Sequence, residues 1–96
     1  MNEIDFKIWL GKNNVPKKVQ SDLISRLKRF EREIKNCDID EQYRNDKCVY
    51  LLSLFKNKGL NGDMAEYIDS NLPIGKYQLN TYKYALNKYI CFLSEY

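Results

Sequence analysis

The sequence predicts an all-α fold: a compact four-helix domain with a long loop between the third and fourth helices. Three observations predict it. Apolar residues recur at three- and four-residue steps in four separate stretches. No stretch alternates apolar and polar residues as a half-buried strand does. Three of the four glycines and one of the two prolines fall in a single connection, residues 59–77.

The first helix is short. Asn2 stands where a capping side chain belongs, Phe6, Trp9 and Leu10 share one face, and Gly11 with Lys12-Asn13-Asn14 stops it. A helix this short needs tertiary burial, so Phe6 and Trp9 are expected to pack on Tyr82, Leu86 and Tyr89 of the last helix. The second opens at Val15-Pro16, with proline in the first turn where its missing N–H costs nothing. Val19, Leu23, Leu27, Phe30 and Ile34 form its apolar stripe. The third is expected to start near Asp46, with Cys48, Leu51, Leu52 and Phe55 inward, Gly59 past its end, and a looser turn at Asp38-Ile39-Asp40-Glu41 before it. Met64, Tyr67 and Ile68 suggest a short helical turn packed inside the long loop. The fourth helix runs from about Leu79 to the end, with Leu79, Tyr82, Leu86, Tyr89 and Leu93 inward.

Ninety-six residues suffice for one domain, which at this size buries roughly 60–70% of its unfolded surface. A chain 44% hydrophobic and 30% charged is ordinary globular material rather than a disordered segment. Eight tyrosines among the aromatics hint at a working surface, because tyrosine sits half-buried with a wet hydroxyl. There is no histidine, which removes Ser-His and Cys-His nucleophiles and His-ligated zinc. Cys37, Cys48 and Cys91 form no CxxC pair and are odd in number, so free thiols and a cytoplasmic setting are expected. No signal-like segment opens the chain and no apolar run is long enough to span a membrane. Asp38, Asp40, Glu41 and Asp46 lack the glycine and terminal glutamate of a calcium loop, and neither phosphate-cradling glycine motif is present. No catalytic residue, metal or cofactor is expected.

Charge is segregated along the chain. Residues 12–35 carry eight Lys/Arg against three acids, whereas residues 36–46 and 63–75 each carry a net −3. At 100° per residue from Val19, Lys17, Lys28, Ser21, Arg32, Ser25, Lys18 and Arg29 fall between 160° and 280°, away from the stripe near 40°. A solvated helix usually mixes signs for i,i+4 pairing, and this face does not. Small serines let a helix approach a phosphate backbone while Lys and Arg neutralise it. The last helix leaves Asn80, Lys83, Tyr84, Asn87 and Lys88 outside, and Lys76 precedes its start. Asn, Lys and exposed Tyr are side chains that reach phosphates and base edges.

The order of these elements resembles the N-terminal core-binding, SAM-like domain of tyrosine recombinases and phage integrases. The matching stretches are Asp5-Phe6-Lys7-Ile8-Trp9-Leu10, then Val15-Pro16-Lys17-Lys18-Val19 leading to Arg26-Leu27-Lys28-Arg29-Phe30, and Thr81-Tyr82-Lys83-Tyr84-Ala85-Leu86-Asn87-Lys88-Tyr89-Ile90-Cys91-Phe92-Leu93. The acidic 38–46 turn and Leu72-Pro73-Ile74-Gly75 look more like the related N-terminal module of bacterial restriction and mobile-element proteins. The resemblance implies a DNA-facing second and fourth helix, and a module at the start of a larger protein whose downstream domain does the chemistry. Lys18 and Asp22 depart from the Thr and Tyr of the recombinase pattern.

The expected function is non-catalytic docking on duplex DNA. The contacts expected are Lys17, Lys18, Ser21, Ser25, Lys28, Arg29 and Arg32 from one helix, with Lys76, Asn80, Lys83, Tyr84, Asn87 and Lys88 from the other. The rival is a helical protein-interaction module, or a small phage-type inhibitor, whose basic face meets an acidic protein.

Overall fold

The computed structural model describes residues 1–35 and 37–95. Five α-helices follow in order: α1 Glu3–Lys12, α2 Lys17–Glu33, α3 Ile39–Asp46, α4 Val49–Ser53 and α5 Leu79–Glu95. Two 3-10 turns, Lys56–Gly59 and Gly62–Tyr67, lie between α4 and α5, and the described residues contain no strand. Among the described residues the fold is all-α, with five α-helices rather than four. No helix among the described residues is long and apolar enough to cross a membrane.

Helices α1, α2 and α5 form the body, each packed on the other two. Glu3 meets Lys28 and the carbonyl of Val15 meets Gln20, so α1 runs antiparallel to α2. Phe6 packs edge-on against Tyr89 at 4.9 Å and Trp9 against Phe92 at 5.9 Å, so α1 runs parallel to α5. Phe92, not among the partners expected for α1, packs on it together with the expected Tyr89. It is buried whereas Leu93 is half-buried, because α1 covers the flank of α5 that carries Phe92. Asn2 caps α1 as expected, accepting from the Asp5 N–H at 3.3 Å. Pro16 sits one residue earlier than expected, as the residue capping α2.

The buried face of α2 is turned from the expected stripe. Val19 is 38% exposed, while Gln20 and Ile24 are 7% exposed. The Gln20 side chain donates to the Val15 carbonyl at 2.8 Å, satisfying a polar group that burial beside α1 would otherwise penalise.

The expected start of the third helix is instead a helix boundary. Asp38 caps α3, accepting from the N–H groups of Asp40 and Glu41. The helix then ends on two left-handed residues, Lys47 and Cys48, with φ of 57° and 66°. That turn buries Cys48 completely beside Ile39, its thiol 3.7 Å from the Ile39 carbonyl. Asp46 does mark a start, because its carboxylate accepts from the Tyr50 N–H at 2.9 Å in the first turn of α4.

The long connection is clasped at its neck. The Gly75 N–H donates to the Lys58 carbonyl at 2.7 Å, and Gly59 lies against Ile74 and Leu79. Within the loop, Asn61 caps the second 3-10 turn and Met64 is fully buried as expected, but Tyr67 is half-buried and Ile68 is 55% exposed rather than packed inside. The loop is tied to the body where Glu33 accepts from the Asn71 N–H at 3.0 Å.

At the other end of the molecule the Met1 ammonium lies 3.3 Å from Glu31 and 3.5 Å from Asp40. Tyr89 joins this network, donating to Asp40 and accepting from the Asn2 N–H, both at 2.6 Å. The network closes α1, α3 and α5 over the C-terminal end of α2.

Candidate nucleic-acid interface

The outer face of α2 carries Lys17, Lys18, Ser21, Ser25, Lys28, Arg29 and Arg32, and all seven are exposed. Seventeen residues at 1.5 Å each make a rod of about 25 Å. Among the described residues, Lys28 is the one cation of this face in an ion pair, with Glu3 at 3.0 Å. That pair is exposed at both ends, 54% and 44%, so it contributes little and yields readily to another anion.

One edge of the face turns into a cleft against α5. Asp22, Ser25, Arg26, Arg29 and Tyr82 line about 180 Å³ there. Arg29 donates to the Tyr82 hydroxyl at 3.3 Å. Tyr82 is only 7% exposed, so its ring serves the core, as expected, while its hydroxyl reaches the cleft.

The residues expected from the last helix do not line this cleft. Lys83 and Asn87 line a shallower groove of about 400 Å³ with Val49, Leu52, Ser53 and Lys56. Lys76, Asn80 and Tyr84 are exposed, Tyr84 by 54%, and Lys88 is half-buried. Arg29 and Lys83 thus line different clefts, while Lys17, Lys18, Lys28 and Arg32 lie on the open face of α2. The first cleft is bounded by α2 and α5, the other by α4 and α5.

Arg26, Tyr82 and Lys56 were not among the contacts expected from the sequence. Arg26 falls beside the apolar stripe of α2, a flank position that becomes a site only when a second helix brings a hydroxyl to it. Tyr82 carries an inward position in the periodicity, which says nothing of where its hydroxyl ends. Lys56 falls inside the expected third helix, beside its inward stripe, but lies in the 3-10 turn after α4, which turns it toward α5.

The thiols are all free. Burial pushes Cys37 up to about 12 and Cys48 up to about 11, so both are neutral thiols at physiological pH. Nearby carboxylates add to both shifts, Glu31 at Cys37 and Asp46 at Cys48. Cys91 is exposed. Among the described residues no group of three or more Cys, Asp or Glu side chains is arranged to hold a metal ion.

No family model, curated protein or solved structure matches this chain.

Proposed function

We propose that this domain docks on duplex DNA without catalysing a reaction, mainly through backbone phosphates and with α2 as the principal contact. The observation that carries the reading is the outer face of α2. Four of its five cations are free of ion pairs among the described residues, two small serines lie between them, and Asp22 lies at its edge. Unpaired cations in a row release counterions when they meet a polyanion, and that release is the main source of affinity for duplex DNA. Lys56, Lys83 and Asn87 supply a second phosphate contact from the far side of α5. Tyr84 and Asn80, exposed on α5, are the side chains free to reach a base edge. With this reading we propose the likeness to core-binding domains, which rests on the stretches quoted from the sequence.

The test is a salt titration on mixed-sequence duplex DNA. The logarithm of the binding constant should fall linearly with the logarithm of salt, by roughly 0.9 per neutralised phosphate. Arg32→Ala should reduce that slope by about one unit and weaken all sequences alike. Absence of salt-dependent binding even near ~50 mM salt, where phosphate contacts are strongest, refutes the reading and favours an acidic protein partner.

A further inference from the structure

We infer that the cleft between α2 and α5 is a subsite for a single phosphodiester group, held by Arg26 and Arg29 with the hydroxyls of Ser25 and Tyr82. The inference takes its phosphate from the docking proposed above and names the point where that docking is fixed in register.

The donors converge from two helices. Ser25 and Arg26 share one turn of α2, Arg29 lies one turn further on, and Tyr82 closes the cleft from α5. Tyr82 accepts from Arg29, so its own proton remains available to donate into the cleft. Among the described residues neither guanidinium is in an ion pair, although Asp22 stands four residues before Arg26 in the same cleft. Two arginines and one aspartate give the cleft a net single positive charge, which matches the single negative charge of a phosphodiester. The cleft, about 180 Å³ and open to solvent on one side, has room for a phosphate group. Planar guanidiniums grip such oxygens in pairs, which lysines along the open face cannot do. Asp22 opposes the anion. It limits affinity for any one phosphate.

The probe is dimethyl phosphate, a phosphodiester with no base or sugar, followed by NMR. The side-chain Nε–H signals of Arg26 and Arg29 and the backbone signals of Ser25 and Tyr82 should shift and saturate. Sodium chloride at matched ionic strength should not reproduce this. Arg26→Gln should weaken binding by about tenfold, the loss of one charge-assisted contact. Asp22→Asn should tighten it several-fold, and this variant keeps the test sharp even if Arg26→Gln disturbs packing. Shifts that never saturate, that chloride reproduces, or that spread evenly along α2 overturn the subsite.

A DNA arm separates this inference from the docking proposal. In duplex binding, Arg26→Gln should lower the salt slope by about one unit. If the wild type binds duplex DNA and Arg26→Gln binds with an unchanged slope, the subsite is refuted while docking stands. If dimethyl phosphate saturates the cleft but duplex DNA does not bind, the subsite stands and docking is refuted.

Discussion

Individual side chains set two measurable properties of this fold. Phe6 is completely buried and touches Tyr89, Phe92 and Trp9, whereas Trp9 is half-buried with its indole N–H 3.4 Å from Glu95. Phe6→Ala should therefore cost about 3–5 kcal/mol, and Trp9→Ala clearly less, because a partly exposed ring leaves less of a cavity. Urea denaturation of the two variants compares them directly, and equal losses would contradict this ordering. The second property is pH dependence. Burial works against the charge on the Met1 ammonium, but the carboxylates of Glu31 and Asp40 more than offset it, leaving its pKa raised above 8.0. A group raised on folding contributes stability that is complete below its unfolded value and lost as pH climbs through the folded one. Stability should thus hold below about pH 8.0 and decline as pH rises from there through the raised folded value. Above 10 a second loss begins, because burial and the bond to Asp40 also raise the pKa of Tyr89. Glu31→Gln keeps an acceptor for the Ile39 N–H, which now bonds Glu31 at 3.1 Å, and should flatten the first decline. An unaltered slope in that variant would show that the ammonium is not its source.

At the scale of elements, the faces of the helices were more legible than their ends. The apolar spacing of α2 and α5 located both helices because burial against neighbours selects that spacing. The α3–α4 boundary was hidden because Lys47 and Cys48 adopt left-handed backbone without being glycine, held there by burial of Cys48 rather than by local preference. Val19 and Gln20 exchanged roles for a similar reason, since a hydrogen bond to Val15 makes burial of the glutamine tolerable. Of the candidate site, the outer face of α2 could be read directly, but the cleft with Arg26 could not, because Tyr82 lies more than fifty residues away along the chain. The neck of the long loop gives a prediction at this scale. Gly59 has φ of +83°, and a Cβ there would stand 2.9 Å from Leu79 Cδ2 and 3.2 Å from Ile74 Cγ2. Gly59→Ala combines a left-handed alanine, costing about 1–2 kcal/mol, with crowding of the first residue of α5. It should lower the urea midpoint and speed hydrogen exchange in residues 59–75, while Gly62→Ala, with nothing within 4 Å of its Cβ, should do neither. A stable Gly59→Ala variant would mean that the neck accommodates a methyl group freely.

For the whole molecule the question is whether its field or its shape recruits a partner. Net charge is only +3, so a uniform charge would not hold a polyanion at physiological salt. Under the proposed docking, recruitment comes from the concentration of cations on α2, and charge reversal there is the clean test. Lys28→Glu is a poor choice, because it would place two carboxylates where Lys28 now meets Glu3 at 3.0 Å, so lost binding and lost packing would be confused. Lys18 and Arg32 are exposed and, among the described residues, in no ion pair. The double variant Lys18→Glu with Arg32→Glu moves the net charge from +3 to −1, two charges per reversal, without touching the core. Its thermal unfolding should match the wild type within about 0.5 kcal/mol per exposed site. Its affinity for duplex DNA should fall by more than a hundredfold at low salt, and the loss should shrink as salt rises, because the affected term is electrostatic. Reversing Lys56 and Lys83 together tests the other groove and should cost less, since two cations are lost there from the shorter contact. If reversal on α2 leaves DNA binding intact while reversal on the α4–α5 groove removes it, then the shallow groove is the principal interface and the α2 face is solvated surface.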